Sequence, residues 1–538
     1  ALKRFFMKKL CIGLVAAALF AVNGTRAQNH PIEILPKPVK IVAFQNAAVL
    51  SGETSVYLDP KANLNQDYVT GVLKEAGIDP VYTTKAKKAK LAFKLNAVPS
   101  NNNDEAYRLA VMSPDSKKQI VATADARAGL LYALQTLRQM TTPQNGLVTI
   151  PACVITDAPA FPWRAYMQDE SRHFQGAETV KNLLDEMARL KMNTFHWHLV
   201  DDQGWRIEIK KYPKLTELGS KRDFDHMNVT SEEWDELFPK RAYYTQDEIR
   251  DIVKYADDRG IKVIPEIEVP GHASASIYAY PWIGATSRRE GKAVVGDLYD
   301  VTDPKVEEFL HDILDEVVAL FPSKIVHIGG DEANYTHWQN SEEIQAFMKA
   351  NGLPTCSDLQ VWAINRMSKY LASKGCRMIG WNEITGDNVR GEAHVQASQS
   401  EKLAPGTIVQ FWDGDISLVN KAIEKGYDVV NSNRFFTYLD YPYEVTPFEK
   451  AYSFNPIPDG LADADKEKIL GTGCQMWGEF TPNLDRLYYQ IFPRIAAYAE
   501  CGWTPVDKKY YEDFRKRLKK IENIWKEKGY LKTQLDKY

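Results

Sequence analysis

Apolar and polar positions in residues 28–158 follow short runs that indicate a small α+β domain. Strands are predicted over Ala48–Leu58, Leu91–Leu95, Tyr107–Met112 and Ile120–Ala124. Helices are predicted over Gln66–Ala76 and Ala128–Met140. A proline-bearing stretch, Pro151 to Pro162, marks the boundary with the next domain, which we set after residue 158.

Residues 159–505 change to short apolar strands that alternate with amphipathic helices. The strands are predicted over Arg164–Asp169, Thr194–Leu199, Lys262–Glu268, Lys324–Ile328, Arg377–Trp381, Ile408–Trp412, Asp428–Asn431 and Ile469–Trp477. The helices include Ala177–Leu190, Thr245–Arg259, Lys305–Leu320 and Asp358–Ser373. This alternation predicts an α/β fold, a (β/α)8 TIM barrel, with a doubly wound open sheet as the alternative. Residues 506–538 are predicted to form a helical C-terminal extension.

The N-terminal residues 1–27 are typical of a signal peptide. Lys8 and Lys9 precede the apolar run Leu10–Val22, and small residues follow up to Ala27. The pattern predicts secretion across the inner membrane, to a periplasmic or extracellular location. An uncleaved membrane anchor is the alternative; no other stretch is long enough to span a bilayer, so no membrane span is expected after signal removal.

Composition narrows the function classes. A net charge of −4 over 538 residues gives no sign of nucleic-acid binding. Without Cys11, five widely spaced cysteines remain, an odd number that favours free buried thiols over a disulfide framework, although one bridge is compatible with it. Twelve Trp and 27 Tyr offer flat faces that suit the C–H patches of sugar rings, although most aromatic residues fill cores. Nothing in the sequence indicates an oligomeric state.

Unusual polar and aromatic residues lie at the C-terminal ends of all eight predicted strands, where the active site of a barrel forms. In chain order they are Arg164 through His173; His196, His198, Asp201 and Asp202; Glu266, Glu268 and His272; Asp331 and Glu332; Trp381; Trp412; Tyr438 with Asp440; and Trp477 with Glu479. One such residue carries little information, but eight of eight strand ends indicate a shared site.

The segment Gly329-Gly330-Asp331-Glu332 directly follows an apolar strand. The glycines allow a tight turn, and two neighbouring carboxylates repel each other, which can raise one pKa toward the value that a general acid needs. The alternative is a turn that only caps the following helix, and for an isolated motif of this kind that alternative would be favoured.

His196 and His198 have a spacing that is common among metal ligands, so a metal-dependent hydrolase must be considered. A binuclear site would need further histidines at the later strand ends, and those ends carry Trp, Tyr, Asp and Glu instead. We therefore expect no metal or other cofactor, and a hydrogen-bonded Asp–His–Glu array that tunes an acid.

Trp381, Trp412 and Trp477 each fall at a strand end rather than on a helix face. Core packing is the ordinary role of one tryptophan, but three at corresponding positions suggest an aromatic cage. The methyl group of an acetamide has the right size for such a cage.

Together these motifs resemble glycoside hydrolase family 20, the β-N-acetylhexosaminidases, over residues 150–503. Residues 28–158 are similar to the small α+β domain that precedes the family's barrel. The resemblance rests on Arg164-x4-Asp169-x-Ser171-Arg172-His173-Phe174, His196-Trp-His-Leu-Val-Asp-Asp-Gln-Gly-Trp205-Arg206, Pro265-Glu-Ile-Glu-Val-Pro-Gly-His272, His327-Ile-Gly-Gly-Asp-Glu332, Gly380-Trp381-Asn-Glu, Gln410-Phe-Trp412, Tyr438-Leu-Asp440 and Met476-Trp477-Gly-Glu479.

The resemblance implies an exo-acting, retaining enzyme that removes terminal β-linked GlcNAc or GalNAc from an oligosaccharide or glycan through an oxazolinium intermediate. It implies that Glu332 is the general acid and base, that Asp331 orients the acetamide, and that Asp201 and His272 support Glu332. The residues expected to bind substrate are Arg164, Trp381, Trp412, Tyr438, Asp440, Trp477 and Glu479. His173 and His198 are expected to be structural.

Several other functions stay open at this point. Within the family, a lacto-N-biosidase or a 6-sulfo-GlcNAc-specific enzyme is an alternative. Outside it, a glycosidase could use Glu383 or Glu479 as its own nucleophile, a metal-dependent hydrolase would lose activity with a chelator, and an inactive sugar-binding protein would bind without turnover. The intact Asp331-Glu332 pair argues against the last of these.

Overall fold

The structure, a computed structural model, describes residues 31–99, 103–112, 119–221, 241–289, 292–387 and 402–532. The predicted signal peptide lies outside these residues. No helix within them is both long enough and apolar enough to cross a membrane. All five cysteines of the described ranges are buried and free: Cys153, Cys356, Cys376, Cys474 and Cys501.

The N-terminal domain is one mixed sheet with two helices. Its strands are β1 (Lys40–Ser51), β2 (Glu53–Leu58), β3 (Asp79–Tyr82), β4 (Leu91–Leu95), β5 (Tyr107–Val111), β6 (Ile120–Ala124), β7 (Thr142–Gln144) and β8 (Leu147–Asp157). The helices are α1 (Gln66–Glu75) and α2 (Arg127–Met140). The sheet order is β1-β8-β5-β6-β4-β2-β3, with β7 paired to β8. Leu91, Leu109, Leu130 and Leu134 are among the residues that fill its core.

One prediction for this domain is wrong. The single strand expected over Ala48–Leu58 is two strands, because Gly52 breaks it and its N–H donates to the Gly146 carbonyl at 3.0 Å. Pro151, the first residue of the proline-bearing stretch, lies inside β8 and pairs with Ala47 at a register shift of β1, and β8 runs on to Asp157. A strand tolerates proline at such an irregularity, where a ladder hydrogen bond is already missing.

The predicted TIM barrel is confirmed. Its eight parallel strands are β9 (Trp163–Asp169), β10 (Thr194–His198), β11 (Lys262–Glu266), β14 (Ile325–His327), β15 (Arg377–Trp381), β16 (Ile408–Phe411), β17 (Asp428–Asn431) and β18 (Ile469–Met476). The sheet closes because β18 pairs with β9, which excludes the open-sheet alternative. A hairpin that the sequence did not predict, β12 (Gly284–Arg289) and β13 (Lys292–Tyr299), lies between β11 and β14 in the chain.

Helices connect the strands and cover the barrel. Those described are α3 (Ala177–Arg189), α4 (Lys214–Glu217), α5 (Gln246–Asp258), α6 (Ser274–Ala279), α7 (Pro304–Leu320), α8 (Thr336–Gln339), α9 (Glu342–Ala350), α10 (Cys356–Ser373), α11 (Ser417–Glu424), α12 (Arg434–Thr437), α13 (Phe448–Ser453), α14 (Leu484–Ile491), α15 (Arg494–Trp503) and α16 (Tyr511–Glu527). At the beginning of α5, Thr245 and Glu248 form a capping box, in which each side chain accepts a hydrogen bond from the other's backbone N–H.

The C-terminal helix α16 is tied to the barrel by buried polar contacts. The Arg517 guanidinium pairs with Glu500 at 2.9 Å, and the Trp525 indole N–H donates to Glu186 at 2.7 Å. Its apolar residues Phe514 and Leu518 are fully buried. The helix therefore adds a covering layer to the outer core of the barrel.

The barrel interior is layered along its axis, and the layers decide where chemistry can occur. Near the strand beginnings it is filled by a small apolar cluster that includes Ile264, Ile379 and Val430. Near the strand ends the interior contains a second cluster, of Met167, Trp381, Trp412 and Tyr438, together with buried polar residues such as Glu266. The apolar layer closes one end of the barrel, so a ligand can enter only at the C-terminal mouth.

Candidate active site

A pocket of about 160 Å³ opens at the C-terminal mouth of the barrel. Its lining comprises Arg172, Asp201, His272, Asp331, Glu332, Trp412, Tyr438, Asp440, Tyr441, Trp477 and Glu479. Most of these residues were predicted from the strand ends, and they follow seven of the eight barrel strands. This volume is below the roughly 300–1,000 Å³ of sites for drug-sized ligands, so the pocket fits one small unit of a larger molecule.

Two glycines let the loop after β14 turn into the mouth. Gly329 and Gly330 have φ angles of 67° and 93°. A Cβ on Gly329 would lie 1.7 Å from a carboxylate oxygen of Glu268, and one on Gly330 would lie 2.5 Å from Ile384. The close approach that the glycines permit is therefore to neighbouring protein groups, and it places Asp331 and Glu332 at the pocket.

His272 and Glu332 themselves have unusual backbone conformations. Their φ angles are 50° and 51°, in the left-handed region that side-chain-bearing residues seldom adopt. Such conformations cost about 1–3 kcal/mol each and persist where the surrounding fold requires them. Here both strained positions carry side chains that point into the same pocket.

His272 lies at the centre of a charged array. Its Nδ1 is 3.0 Å from Asp201 and 3.1 Å from Asp202, and its Nε2 is 3.6 Å from both Asp331 and Glu332. Burial by itself would lower the pKa of His272, but Asp201 and Asp331 outweigh it and hold that pKa well above its usual value. The imidazole is therefore a cation between two pairs of carboxylates.

Asp201 is held ionised in this array. Burial disfavours its charge, but Arg172 and His272 together keep the pKa of Asp201 well below its usual value. The Arg172 guanidinium is 3.2 Å away, and His198 Nε2 is 2.7 Å from the other side. The structure thus brings together Asp201, His272 and Glu332, as the sequence predicted, and it places His198 as a buried partner of Asp201.

Two further carboxyl groups beside Asp331 are neutral. Burial first, and then the charge of Asp331, raise the pKa values of Glu268 and Glu383 well above the usual range. Neither oxygen of Glu268 has a hydrogen-bond partner among the described residues. Glu383 Oε2 accepts a hydrogen bond from the Trp412 indole at 2.9 Å. A neutral Glu383 that is held on Trp412 and does not line the pocket is unsuited to act as a nucleophile.

The aromatic residues form the expected cage. Trp381 contacts Trp477 with ring centroids 5.8 Å apart and Trp412 at 6.5 Å, and Tyr438 lies 6.1 Å from Trp477. Trp412 and Tyr438 have nearly parallel planes, 8° apart, with centroids separated by 6.3 Å. The Trp381 indole N–H donates to Glu266 at 2.9 Å, which fixes the orientation of the ring at the bottom of the cage.

A polar layer lies directly under the cage. His196, Glu266 and His327 present possible metal-ligand atoms within 4.8 Å of one another. In His327, however, Nε2 is hydrogen-bonded to Gln410 at 3.0 Å and Nδ1 accepts the Gly329 N–H at 3.0 Å, while His196 is hydrogen-bonded to Glu266. Burial lowers the pKa of His327 to about 3, so the ring is neutral. These bonds occupy both ring nitrogens of His327 and Nε2 of His196, and they support a hydrogen-bonded layer rather than a metal site at these residues.

One wall of the pocket carries Arg172, Asp440 and Glu479. Arg172 pairs with Asp169 at 2.9 Å and lies 3.5 Å from Glu479. Burial, and then Glu479, raise the pKa of Asp440 well above its usual range. The sequence analysis included Arg172 in the run from Arg164 to His173 but gave it no role, and it missed Tyr441, which follows Asp440. The signal for Arg172 was its place three residues beyond Asp169, at the C-terminal end of β9.

The prediction that Arg164 binds substrate is wrong. Arg164 is the second residue of β9, so roughly 16 Å of strand separate it from the C-terminal end. It is 1% exposed, and its guanidinium donates to Glu105 at 2.6 Å and to the Lys191 carbonyl at 2.9 Å. It also lies over the Trp503 ring at 4.9 Å. Arg164 therefore joins the N-terminal domain to the beginning of the barrel, while Arg172 lies at the mouth.

This correction predicts different effects for two matched substitutions. Arg164→Lys should lower the free energy of unfolding by about 1–3 kcal/mol, because lysine cannot reproduce the forked contacts and leaves buried acceptors unpaired. It should leave kcat/KM within about twofold, since the residue is remote from the pocket. Arg172→Lys should instead lower kcat/KM at least tenfold. Chemical denaturation and steady-state kinetics on both variants test this, and a tenfold kinetic loss in Arg164→Lys at unchanged stability would restore the original assignment.

The fold and the pocket define a (β/α)8-barrel protein whose mouth holds adjacent carboxylates beside an aromatic cage. The family model of the glycosyl hydrolase family 20 catalytic domain matches residues 161–506, and that of the family's domain 2 matches residues 31–158. The chain belongs to glycosyl hydrolase family 20, which confirms the resemblance found in its motifs.

Relatives and solved structures agree with this assignment. The chain is 37% identical over 419 residues to a beta-hexosaminidase of Vibrio furnissii, covering 74% of this chain and 65% of the relative. It is 37% identical over 442 residues to a beta-hexosaminidase of Porphyromonas gingivalis, covering 77% and 53%. It thus spans between about half and two thirds of these relatives. The Vibrio harveyi exo β-N-acetylglucosaminidase of family 20, solved in complex with N-acetylglucosamine, superposes with a TM-score of 0.80 at 31% identity, covering 93% of this chain and 78% of that one.

Proposed function

We propose that this protein is an exo-acting β-N-acetylhexosaminidase, which hydrolyses terminal β-linked GlcNAc or GalNAc with retention of configuration and with the substrate's acetamide as nucleophile. One observation carries the proposal. Asp331 Oδ2 faces His272 at 3.6 Å, whereas its buried Oδ1 has no hydrogen-bond partner among the described residues. A buried acceptor without a partner is costly, and an acetamide N–H held in the adjacent cage would satisfy it.

The first step forms the oxazolinium ion. Asp331 accepts the acetamide N–H, and the cage presses the acetamide so that its carbonyl oxygen attacks C1. The C1–O bond to the leaving group breaks, and Glu332 gives its proton to the departing oxygen. Because the nucleophile is part of the substrate, its orientation can contribute roughly 7–11 kcal/mol. The ionised Asp331 stabilises the positive charge that develops on the ring.

The second step reverses these roles. Glu332, now a carboxylate, takes a proton from water as the water oxygen attacks C1, and the bond from C1 to the acetamide oxygen breaks. Attack from the face that the leaving group left restores the β configuration. The protonated His272, held by Asp201, lies 3.6 Å from Glu332 and is close enough to favour its ionised form in this step.

One wall of the pocket supports action at chain ends. Arg172, Asp440 and Glu479 form this wall, and they can bind the hydroxyl groups of a terminal sugar. Buried Asp440 Oδ1 has no partner in the described part of the chain, so it too is available to a ligand. A pocket of about 160 Å³ with such a wall leaves no room for a further sugar beyond the terminal unit.

The same wall argues against the 6-sulfo-GlcNAc-specific alternative. Of the described residues that line the pocket, Arg172 is the one arginine or lysine, and its charge is already matched by Asp169, Asp201 and Glu479. A sulfate here would meet the Asp440 and Glu479 carboxyls without a free cation. We therefore expect unsulfated sugars to be preferred.

A panel of aryl glycosides tests the proposed function. The β-GlcNAc glycoside should be cleaved with the β anomer of GlcNAc released first, and the 6-sulfate form should be cleaved more slowly. The plain β-glucoside should react at least about a thousandfold more slowly, because it lacks the internal nucleophile. Release of the aryl group gives the rates, and proton NMR gives the first anomer. A comparable rate on the glucoside, or release of the α anomer, would contradict substrate-assisted catalysis.

A further inference from the structure

Two consecutive residues that follow β15 both hold Trp412. They belong to a short 3-10 helix, Asn382–Thr385, and both are buried. The Asn382 side chain accepts the backbone N–H of Trp412 at 3.0 Å, and Glu383 Oε2 accepts the indole N–H of the same residue at 2.9 Å. The backbone and the ring of Trp412 are therefore both held from the neighbouring strand, although Trp412 itself follows β16.

Trp412 is a wall of the cage that lies outside the regular strands. Trp381 is the last residue of β15 and is fully buried, whereas Trp412 comes directly after the end of β16 and lines the pocket. A ring in that position can rotate about its side-chain bonds to another rotamer unless a contact opposes it. The indole N–H is the polar group of the ring, and its hydrogen bond to Glu383 opposes that rotation.

Glu383 holds the ring as a neutral group. Burial first, and then the charges of Asp331 and Glu332, raise the pKa of Glu383 well above its usual range. Its other oxygen, Oε1, is buried and has no hydrogen-bond partner among the described residues. A neutral acid accepts the indole N–H without adding a third negative charge beside the two catalytic carboxylates. Glutamine has nearly the same shape and the same charge as the protonated acid, so it is a close substitute at this position.

The same short helix also supports the loop that carries the catalytic carboxylates. Ile384 packs against Gly330 and Gly380, where an added Cβ would lie 2.5 Å and 2.6 Å from its side chain. Gly330 directly precedes Asp331 in the chain. One helical turn therefore contacts both the Trp412 wall and the loop of the acid pair, and it fixes the position of the wall relative to Asp331.

We propose that Glu383 is a positioning residue for the acetamide: by holding the Trp412 indole it fixes the width of the cage and so limits the acyl group of the substrate to two carbons. The inference rests on the proposed function, since the acyl group supplies the nucleophile. A third carbon would have to displace an aromatic ring, and one extra methylene in an apolar pocket typically costs about 10–200-fold in kcat/KM. Without the hydrogen bond, the Trp412 ring can turn away and make room.

Two aryl β-glucosaminides that differ by one methylene, the N-acetyl and the N-propionyl compound, test this role. Both carry the carbonyl nucleophile, so the ratio of their kcat/KM values reports the room in the cage. Wild type should favour the N-acetyl substrate by about 10–200-fold. Glu383→Leu should lower kcat/KM for that substrate about tenfold and narrow the ratio about fivefold or more, because the released ring no longer excludes the longer group. Glu383→Gln should restore the ratio, since its amide oxygen accepts the indole N–H.

Glu424→Leu is a matched control, because that glutamate is exposed at the end of α11 and should leave the ratio unchanged. A double-variant cycle with Trp412→Phe isolates the contact, since phenylalanine has no N–H to hold. In the Trp412→Phe background, Glu383→Leu should not narrow the ratio further. Circular dichroism shows whether each variant is folded, and Glu383→Met replaces Glu383→Leu if the latter is not.

The outcomes separate this inference from the proposed function. If the wild-type protein cleaves neither substrate, the proposed function fails and this inference fails with it. If it cleaves them and Glu383→Leu lowers both rates by the same factor, Glu383 has only a structural role and this inference alone is wrong. Further narrowing of the ratio in the Trp412→Phe background would show that Glu383 does not act through the indole, and would also overturn it.

Discussion

Glu332→Gln is expected to slow cleavage of an unactivated β-GlcNAc disaccharide by about 10²–10⁴ in kcat/KM, the usual contribution of a general acid. With a nitrophenyl glycoside the loss should be less than about tenfold, because the departing nitrophenolate is stable without a proton. The structure supports this role, because Glu332 lines the pocket and its side chain is exposed, so that a leaving oxygen can reach it.

The measurement is kcat/KM for wild type and variant on both substrates, which reports the first irreversible step. Glu342→Gln provides a matched control, since that glutamate is exposed at the beginning of α9 and should leave both rates unchanged. Equal losses of Glu332→Gln on the two substrates would show that the side chain does not protonate the leaving oxygen.

Asp331→Asn is expected to lose about 10²–10³ in kcat/KM on both substrates, as for removal of one electrostatic partner of the transition state. Asp331 acts on the acetamide and on the charge that develops on the sugar ring, so the loss should be the same whatever group leaves. The asparagine side chain has one oxygen where aspartate has two, so only one of its two terminal atoms can accept the acetamide N–H. The substitution also removes a charge that helps to keep His272 protonated.

The same two substrates distinguish the two carboxylates. A strong dependence on the leaving group in Asp331→Asn, together with its absence in Glu332→Gln, would reverse the two assignments. If neither variant is impaired, the chemistry takes place elsewhere. Circular dichroism and thermal denaturation of both variants show whether a loss reflects the site or the fold.

The sequence predicted the architecture because the determining signals are local. A buried strand and an amphipathic helix each have their own periodicity in the sequence. Eight strand–helix repeats favour a sheet that closes into a barrel. The eight predicted strands overlap those of the structure. In the N-terminal domain, the single strand predicted over Ala48–Leu58 was wrong because the strand breaks at Gly52. Apolar residues continue on both sides of this turn, so the hydrophobic periodicity does not indicate the break.

The site was predictable where its residues follow strand ends. Asp331, Glu332, Trp412 and Tyr438 lie where the strand-end rule puts them. Arg164 was assigned against that rule, because it begins the predicted strand Arg164–Asp169 and its motif spans the whole strand. The structure puts Arg172, which follows that strand, at the mouth.

The sequence by itself therefore determined the repeated strand–helix pattern, the acid pair after β14 and the aromatic residues that surround it. Only the tertiary structure decided the charges and the shape of the surroundings. A pKa depends on burial and on neighbours from other strands, so the neutral Glu268 and the cationic His272 could not be read from spacing. The pocket depends in the same way on segments far apart in the chain, from Arg172 to Glu479, which meet because the barrel closes.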